Sequence, residues 1–169
     1  MSVPTINALA KLMLMPLDKA ERRFKKMGEY DLPYSWEGRG VFTACFYQLG
    51  IEAGIGKAGD FRFPDEEGAD DIQKVIAFTL KSPQYCREIS EEFSPYTGKL
   101  FRNVPYSASR EEVRAKLGPP EYSYDPARYD EYPMTKECSF QFVYKRGWGE
   151  VSYCAIVTSR DVRRRLGII

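Results

Sequence analysis

The chain has no histidine among its 169 residues. That absence removes Ser-His-Asp and Cys-His catalysis and every histidine-ligated metal site. There is also no excess of charge of one sign. Lys and Arg number 25 against 24 Asp and Glu, a net charge of +1. Nothing global therefore calls for nucleic acid or an anionic membrane as partner. Long hydrophobic runs are missing as well. The N-terminal run from Leu9 to Leu17 is broken by Lys11 and Pro16, and no positive charge precedes it. It reads neither as a signal peptide nor as a membrane span, so a soluble, cytoplasmic protein is expected. Cysteine is scarce, and Cys45, Cys86, Cys138 and Cys154 form no C-x-x-C pair. Zinc-ribbon and thioredoxin readings fail, and buried free thiols acting as small apolar residues are expected. By elimination the composition points to binding rather than catalysis, with no metal and no cofactor.

What is present is enough to build a core, since 43% of the residues are hydrophobic. One domain is the expectation for this length. Pro4 suits a first helical turn, and Ile6, Leu9, Leu12 and Met13 recur at helical spacing until Pro16 interrupts them. Asp18 and Glu21 fit a capping box for a second helix, with Ala20, Phe24 and Met27 inward and Gly28 as the stop. Val41–Leu49 alternates as a strand, with Phe42, Ala44 and Phe46 on one face. Gly50, Gly54, Gly56 and Gly59 predict turns or a short irregular strand. Ile72–Leu80 fits a helix through Ile72, Val75, Ile76 and Leu80. It also fits a strand face through Ile72, Ile76, Phe78 and Leu80, and its β-branched and aromatic content favours the strand. A short helix is expected within Ser82–Phe93 and a short strand over Leu100–Tyr106.

Ser109 to Gly118 carries the clearest local signal. Ser109 and Glu112 form a capping box, Val113 and Leu117 face inward, Gly118 ends the helix, and Pro119-Pro120 forbids its continuation. Cys138–Lys145 and Glu150–Thr158 then read as strands joined by a hairpin at Arg146-Gly147-Trp148-Gly149, with a short basic helix from Ser159. Both halves begin with a capped helix and pass through a Tyr/Pro segment into strands. This correspondence allows two related α+β units, 1–80 and 95–169, within one domain. The expected fold is α+β, an antiparallel β-sheet packed by helices on one face.

Ser109, Val113, Leu117, Gly118 and Pro120 match the pattern S/T-x-x-x-V-x-x-x-L-G-x-P. The segment resembles the helix-plus-sheet unit of β-lactamase inhibitor protein-like domains and of related outer-membrane assembly lipoproteins. No lipoprotein signal or its cysteine is seen, so a membrane-assembly role is not expected. From about Gly40 to Thr158 the chain also resembles small bacterial immunity proteins encoded beside secreted antibacterial toxins. The residues that carry this are Ile72-Gln-Lys-Val-Ile-Ala-Phe78, Tyr96-Thr-Gly-Lys-Leu100 and Ser109 to Pro120. The resemblance implies a cytoplasmic inhibitor that occludes a cognate toxin or effector protein. It does not imply which chemistry the toxin performs.

Two segments are candidate contact surfaces. Glu121–Met134 holds Tyr122, Tyr124, Tyr129 and Tyr132 with Asp125, Asp130 and Glu131 around Arg128. Tyrosines give large amphipathic contact area at low entropic cost, and flanking acids would steer a basic partner. The alternative is a loop whose tyrosines cap the sheet edge. The run Asp60, Asp65, Glu66, Glu67, Asp70 and Asp71 would complement a basic cleft, or else is a solvated loop. It lacks EF-hand spacing. The basic residues near both ends read as solvated helix faces rather than a nucleic-acid surface. Two other function classes stay open: a carboxylate-dependent enzyme such as a glycosidase or a nucleotide-modifying protein, and a structural adaptor.

Overall fold

The computed structural model describes residues 3–36, 41–57, 73–125 and 128–165. The expected Gly59 turn, the residue Ile72 and the acidic run from Asp60 to Asp71 lie outside the described residues. The protein is α+β, built on an eight-stranded antiparallel sheet. The first half is α1 (Ile6–Ala10), α2 (Leu17–Met27), β1 (Asp31–Trp36), β2 (Val41–Phe46), β3 (Ile51–Lys57) and β4 (Gln73–Lys81). The second half is α3 (Pro83–Glu88), α4 (Arg110–Leu117), β5 (Tyr122–Tyr124), β6 (Tyr129–Pro133), β7 (Cys138–Val143), β8 (Tyr153–Thr158) and α5 (Arg160–Arg165). The strand order is β1-β2-β3-β4-β8-β7-β6-β5. Two four-strand meanders, preceded by α2 and α4 respectively, thus join through β4 and β8, with Phe78 opposite Ile156.

Helices α1, α3 and α4 start where a side chain supplies a cap, and α2 does not. At α1 the cap is Thr5, whose Oγ accepts from Ala8 N at 3.2 Å, so the helix begins after Pro4 rather than with it. The expected Asp18–Glu21 capping box is absent. Pro16 occupies the cap of α2 without a side-chain bond, and Asp18 lies in the first turn, where its charge meets the positive end of the helix dipole. At α4 the capping box is present as expected: Ser109 Oγ accepts from Glu112 N at 3.2 Å and Glu112 accepts from Ser109 N at 2.7 Å. Ser109→Ala is expected to cost about 1 kcal/mol in chemical denaturation, because it leaves a helix-end donor unpaired.

Strand positions differ from the sequence expectation for specific reasons. In β4 the fully buried apolar residues are Val75, Phe78 and Leu80, while Ile76 is only half-buried. The register slips where Gly54 pairs Ala77 but Ile55 pairs Val75. One extra β4 residue is accommodated there as a bulge, and the inward phase shifts. This produced the helix-like spacing. Leu100–Tyr106 is no strand. It contains a tight helical turn at Phe101–Asn103, with Arg102 and Asn103 at φ 50 and 55. β8 begins at Tyr153 rather than at Glu150, because Val151 N–H is shared by the carbonyls of Tyr106 and Ala108 at 3.1 Å each.

One face of the sheet carries the main core. Leu9 of α1, Ala20 and Phe24 of α2 and Val113 of α4 pack there against Phe46, Phe78, Phe140, Phe142 and Ile156. Phe24 meets Phe46 edge-to-face at 5.3 Å. Cys138 and Cys154 belong to this core, while Cys45 and Cys86 form a small cluster with Phe93. All four thiols are free and buried. Burial, with Glu52 adding to it, pushes the Cys45 thiol up to about 11. No helix among the described residues is long and apolar enough to cross a membrane.

The opposite face is not bare. Glu131, Gln141, Ala155, Thr79, Glu52 and Cys45 are register partners across six strands, and they alternate with the core-facing residues. The contacts of α3 and α5 are with this second face, so helices are not confined to one side. Tyr85 of α3 packs edge-to-face on Tyr153 of β8 at 5.5 Å, and Arg163 of α5 pairs with Glu131.

Candidate interaction site

The Tyr- and Asp-rich segment is a β-hairpin, β5 with β6, at the edge of the sheet. Strand alternation decides the fate of each residue in it. Tyr129 is the centre of a tyrosine ladder, 6.0 Å from Tyr122 and 5.8 Å from Tyr124. Asp130 points the other way, beneath α4, and is fully buried. Arg110 and Arg114 lie one turn apart on α4 and converge on it. Arg110 Nη2 is 2.7 Å from Asp130 Oδ1, and Arg114 Nε is 2.7 Å from Oδ2. Ser123 Oγ lies 2.5 Å from Oδ1. Burial works to raise the Asp130 pKa, but the hydrogen bonds from Arg114, Arg110 and Ser123 outweigh it and hold the carboxyl well below the usual carboxylate range. The same carboxylate, chiefly through its hydrogen bond, raises Arg110 above its ordinary value. Tyr132 is buried too, and its hydroxyl donates to Gly118 O at 3.2 Å, at the end of α4. One helix therefore clamps the hairpin from beneath.

Glu131 faces the second side and is also fully buried. It pairs with Arg163 of α5 and accepts from Gln141 Nε2 at 3.0 Å. Arg160 lies over the Tyr122 ring at 3.9 Å. Asp130, Glu131 and Tyr132 are thus corrected from contact residues to internal braces. A short strand pairs them away from solvent, and the arginines that neutralise Asp130 and Glu131 come from sequence-distant helices. Of the remaining candidates, Tyr122 and Tyr129 are half-buried. Tyr124 is 42% exposed. Asp125 is exposed and pairs with Arg110 Nη1 at 2.9 Å. Asp65, Glu66, Glu67, Asp70 and Asp71 lie outside the described residues.

Beside the hairpin, the second face holds an open cleft of about 510 Å³. Tyr85, Val143 and Tyr153 line it with Ile89, and Arg128, Lys145, Arg146 and Asp125 also contribute. Val143 is the register partner of Tyr129, so the tyrosine ladder and the cleft are continuous. Ile89 is 45% exposed, and with Tyr124 it makes up the exposed large hydrophobics among the described residues. Below Tyr85, the Lys81 ammonium is enclosed, 4.6 Å from the Tyr85 ring, 4.3 Å from the Phe93 ring and 3.0 Å from Glu52. This stacked, paired lysine fixes the ring that lines the cleft. Sequence reading missed Tyr85, Ile89 and Tyr153. The available signals were an isoleucine standing alone in the polar stretch Arg87–Glu92 and the outward phase of Tyr153 in the last strand.

Among the described residues, no group of three or more His, Cys, Asp or Glu is placed to hold a metal ion. No protein-family model, curated protein or solved structure matches this chain.

Proposed function

We propose that the protein is an immunity protein, which binds a cognate secreted antibacterial toxin in the cytoplasm and blocks it by occlusion. The observation that carries this reading is the position of Tyr124 and Ile89. These exposed large hydrophobics flank the same aromatic-lined surface of one sheet. Exposed apolar side chains that gather on one surface, rather than scatter singly, mark interaction sites, and aromatic residues are enriched at the centres of protein interfaces. The buried braces under the hairpin support the same reading. A surface already fixed by Asp130 and Glu131 loses less conformational freedom on binding, which favours affinity. In this reading the protein acts by covering its partner, needs no cofactor and performs no chemistry of its own.

The test is co-expression with the product of the adjacent gene. Growth rescue and co-purification are expected, and Tyr124→Ala in a still-folded variant should weaken the complex by about tenfold or more, as truncating a hot-spot aromatic does. Failure both to rescue and to co-purify with a toxic neighbour would remove the reading.

A further inference from the structure

We infer that the cleft beside the hairpin receives an acidic segment of the partner protein: an aromatic or aliphatic side chain flanked by carboxylates. The inference rests on the reading of the chain as a protein-binding module and specifies the chemistry of what it binds. The acids that the hairpin sequence offered to a basic partner are used internally, Asp130 by Arg110 and Arg114 and Glu131 by Arg163. Asp125, the carboxylate on the cleft lining, is paired with Arg110. The exposed charges left on the lining are Arg128, Lys145 and Arg146. Lys145 rests over Trp148 at 4.8 Å. The backbone of Arg128 is held at φ 49, its N–H donating to Asp125 O at 3.1 Å and its carbonyl accepting from Tyr144 N at 2.8 Å. The rim is thus cationic and partly fixed, while the rings of Tyr85 and Tyr153 and the side chains of Val143 and Ile89 are apolar. Cations around an apolar surface suit carboxylates on either side of an inserted side chain, with arginine able to hold a carboxylate through two parallel bonds. A phosphate, in contrast, is held best by donors that converge on one point.

The probe is the peptide acetyl-Glu-Glu-Tyr-Leu-Glu-Glu-amide, titrated into the isotope-labelled full chain and followed through backbone amide resonances. Shifts should centre on Arg128, Val143 and Tyr153. The analogue with lysine in place of each glutamate should bind at least about tenfold more weakly. Salt at about 1 M, where the screening length is about 3 Å, should abolish most of the binding. Combined Arg128→Glu and Arg146→Glu should reverse the preference between the two peptides while the remaining resonances keep their positions. Equal binding of both peptides, shifts confined to another surface, or a preference for a nucleoside monophosphate over the acidic peptide would overturn the inference. If the acidic peptide does not bind but the complex with the adjacent gene's product persists and still weakens with Tyr124→Ala, the acidic-segment inference is lost and the protein-binding reading stands.

Discussion

Removing Arg110 and Arg114 together by alanine substitution is expected to cost about 3–5 kcal/mol, the range found when a buried charge loses its partners. In a chain of 169 residues this lowers the melting temperature by on the order of 10 °C. The reason lies in the asymmetry of the cluster. Asp130 has no exposed surface, whereas the side chains of Arg110 and Arg114 are 21% and 41% exposed. Taking away the arginines strands a carboxylate in the interior. Taking away the carboxylate by Asp130→Ala leaves two cations that can still turn toward water, so the single change is expected to cost less than the double one. Urea denaturation of the two variants measures the difference directly, and a cost for Asp130→Ala equal to or greater than that of the double arginine variant contradicts the argument.

The pH dependence of the same pair is a second, independent readout. In the native protein the Asp130 pKa is depressed. Its contribution to stability is therefore fully present above the ordinary aspartate range of about 4 and is lost as pH falls through and below it. Without Arg110 and Arg114, burial is the dominant influence left on the carboxyl, and burial raises it. The variant then folds more readily with Asp130 protonated, so its stability should rise as pH falls from 7 toward about 4, where the native contribution stays flat. A double variant whose stability runs parallel to that of the native protein over that interval would show that the arginines do not hold this charge.

How much of this was legible in the sequence depends on the range of the interaction. The helix at Ser109–Gly118 could be read because its capping box, inward valine and terminal glycine are all local. The last two strands, β7 and β8, could be read because alternation needs only neighbours, whereas β5 and β6 lie in a Tyr- and Pro-rich segment that reads as a loop. The fate of Asp130 and Glu131 could not. They lie in the same acidic, tyrosine-rich stretch as exposed Asp125. What separates them is strand parity together with Arg110, Arg114 and Arg163, which are 20, 16 and 32 residues away along the chain. A charge in a tyrosine-rich segment reads as surface until the element that pairs with it is placed. The bulge in β4 hid for a similar reason. Its extra residue is defined against β3, so Ile76 looked as well suited to the core as Val75. In the structure a helix followed by a four-strand meander occurs twice, but the first of these helices lacks the side-chain cap and the second Tyr/Pro segment is itself two strands.

Gly50→Ala is expected to destabilise the protein by more than about 3 kcal/mol and to leave little folded material at 37 °C, because strain and overlap add at one position. Gly50 has φ +66, and a Cβ there would stand 2.3 Å from Tyr96 N, 2.4 Å from Ser94 O and 2.7 Å from the Pro95 carbonyl carbon. All three are backbone atoms of the segment that connects the two halves, so no side-chain rotation relieves the overlap. That segment cannot retreat cheaply either. Ser94 N–H donates to Tyr47 O at 2.8 Å, Tyr96 N–H donates to Lys81 O at 3.0 Å, and the Tyr96 hydroxyl donates to Pro4 O at 2.8 Å. Gly50 itself accepts from Lys81 N at 2.9 Å, so a shift of its own backbone disturbs the strand that carries the enclosed lysine. The control is Gly118→Ala. Gly118 also has a positive φ, +83, but nothing lies within 4 Å of a Cβ built there. It should therefore cost only the conformational part, about 1–3 kcal/mol. That part is at least as large at Gly118, whose ψ of -172 lies in a region left almost entirely to glycine, as at Gly50, whose ψ of 33 is left-handed helical, so any excess loss for Gly50→Ala in thermal unfolding is a lower limit on the overlap at the crossing. A loss for Gly50→Ala smaller than that for Gly118→Ala would contradict the tight crossing of residues 94–96 over Gly50.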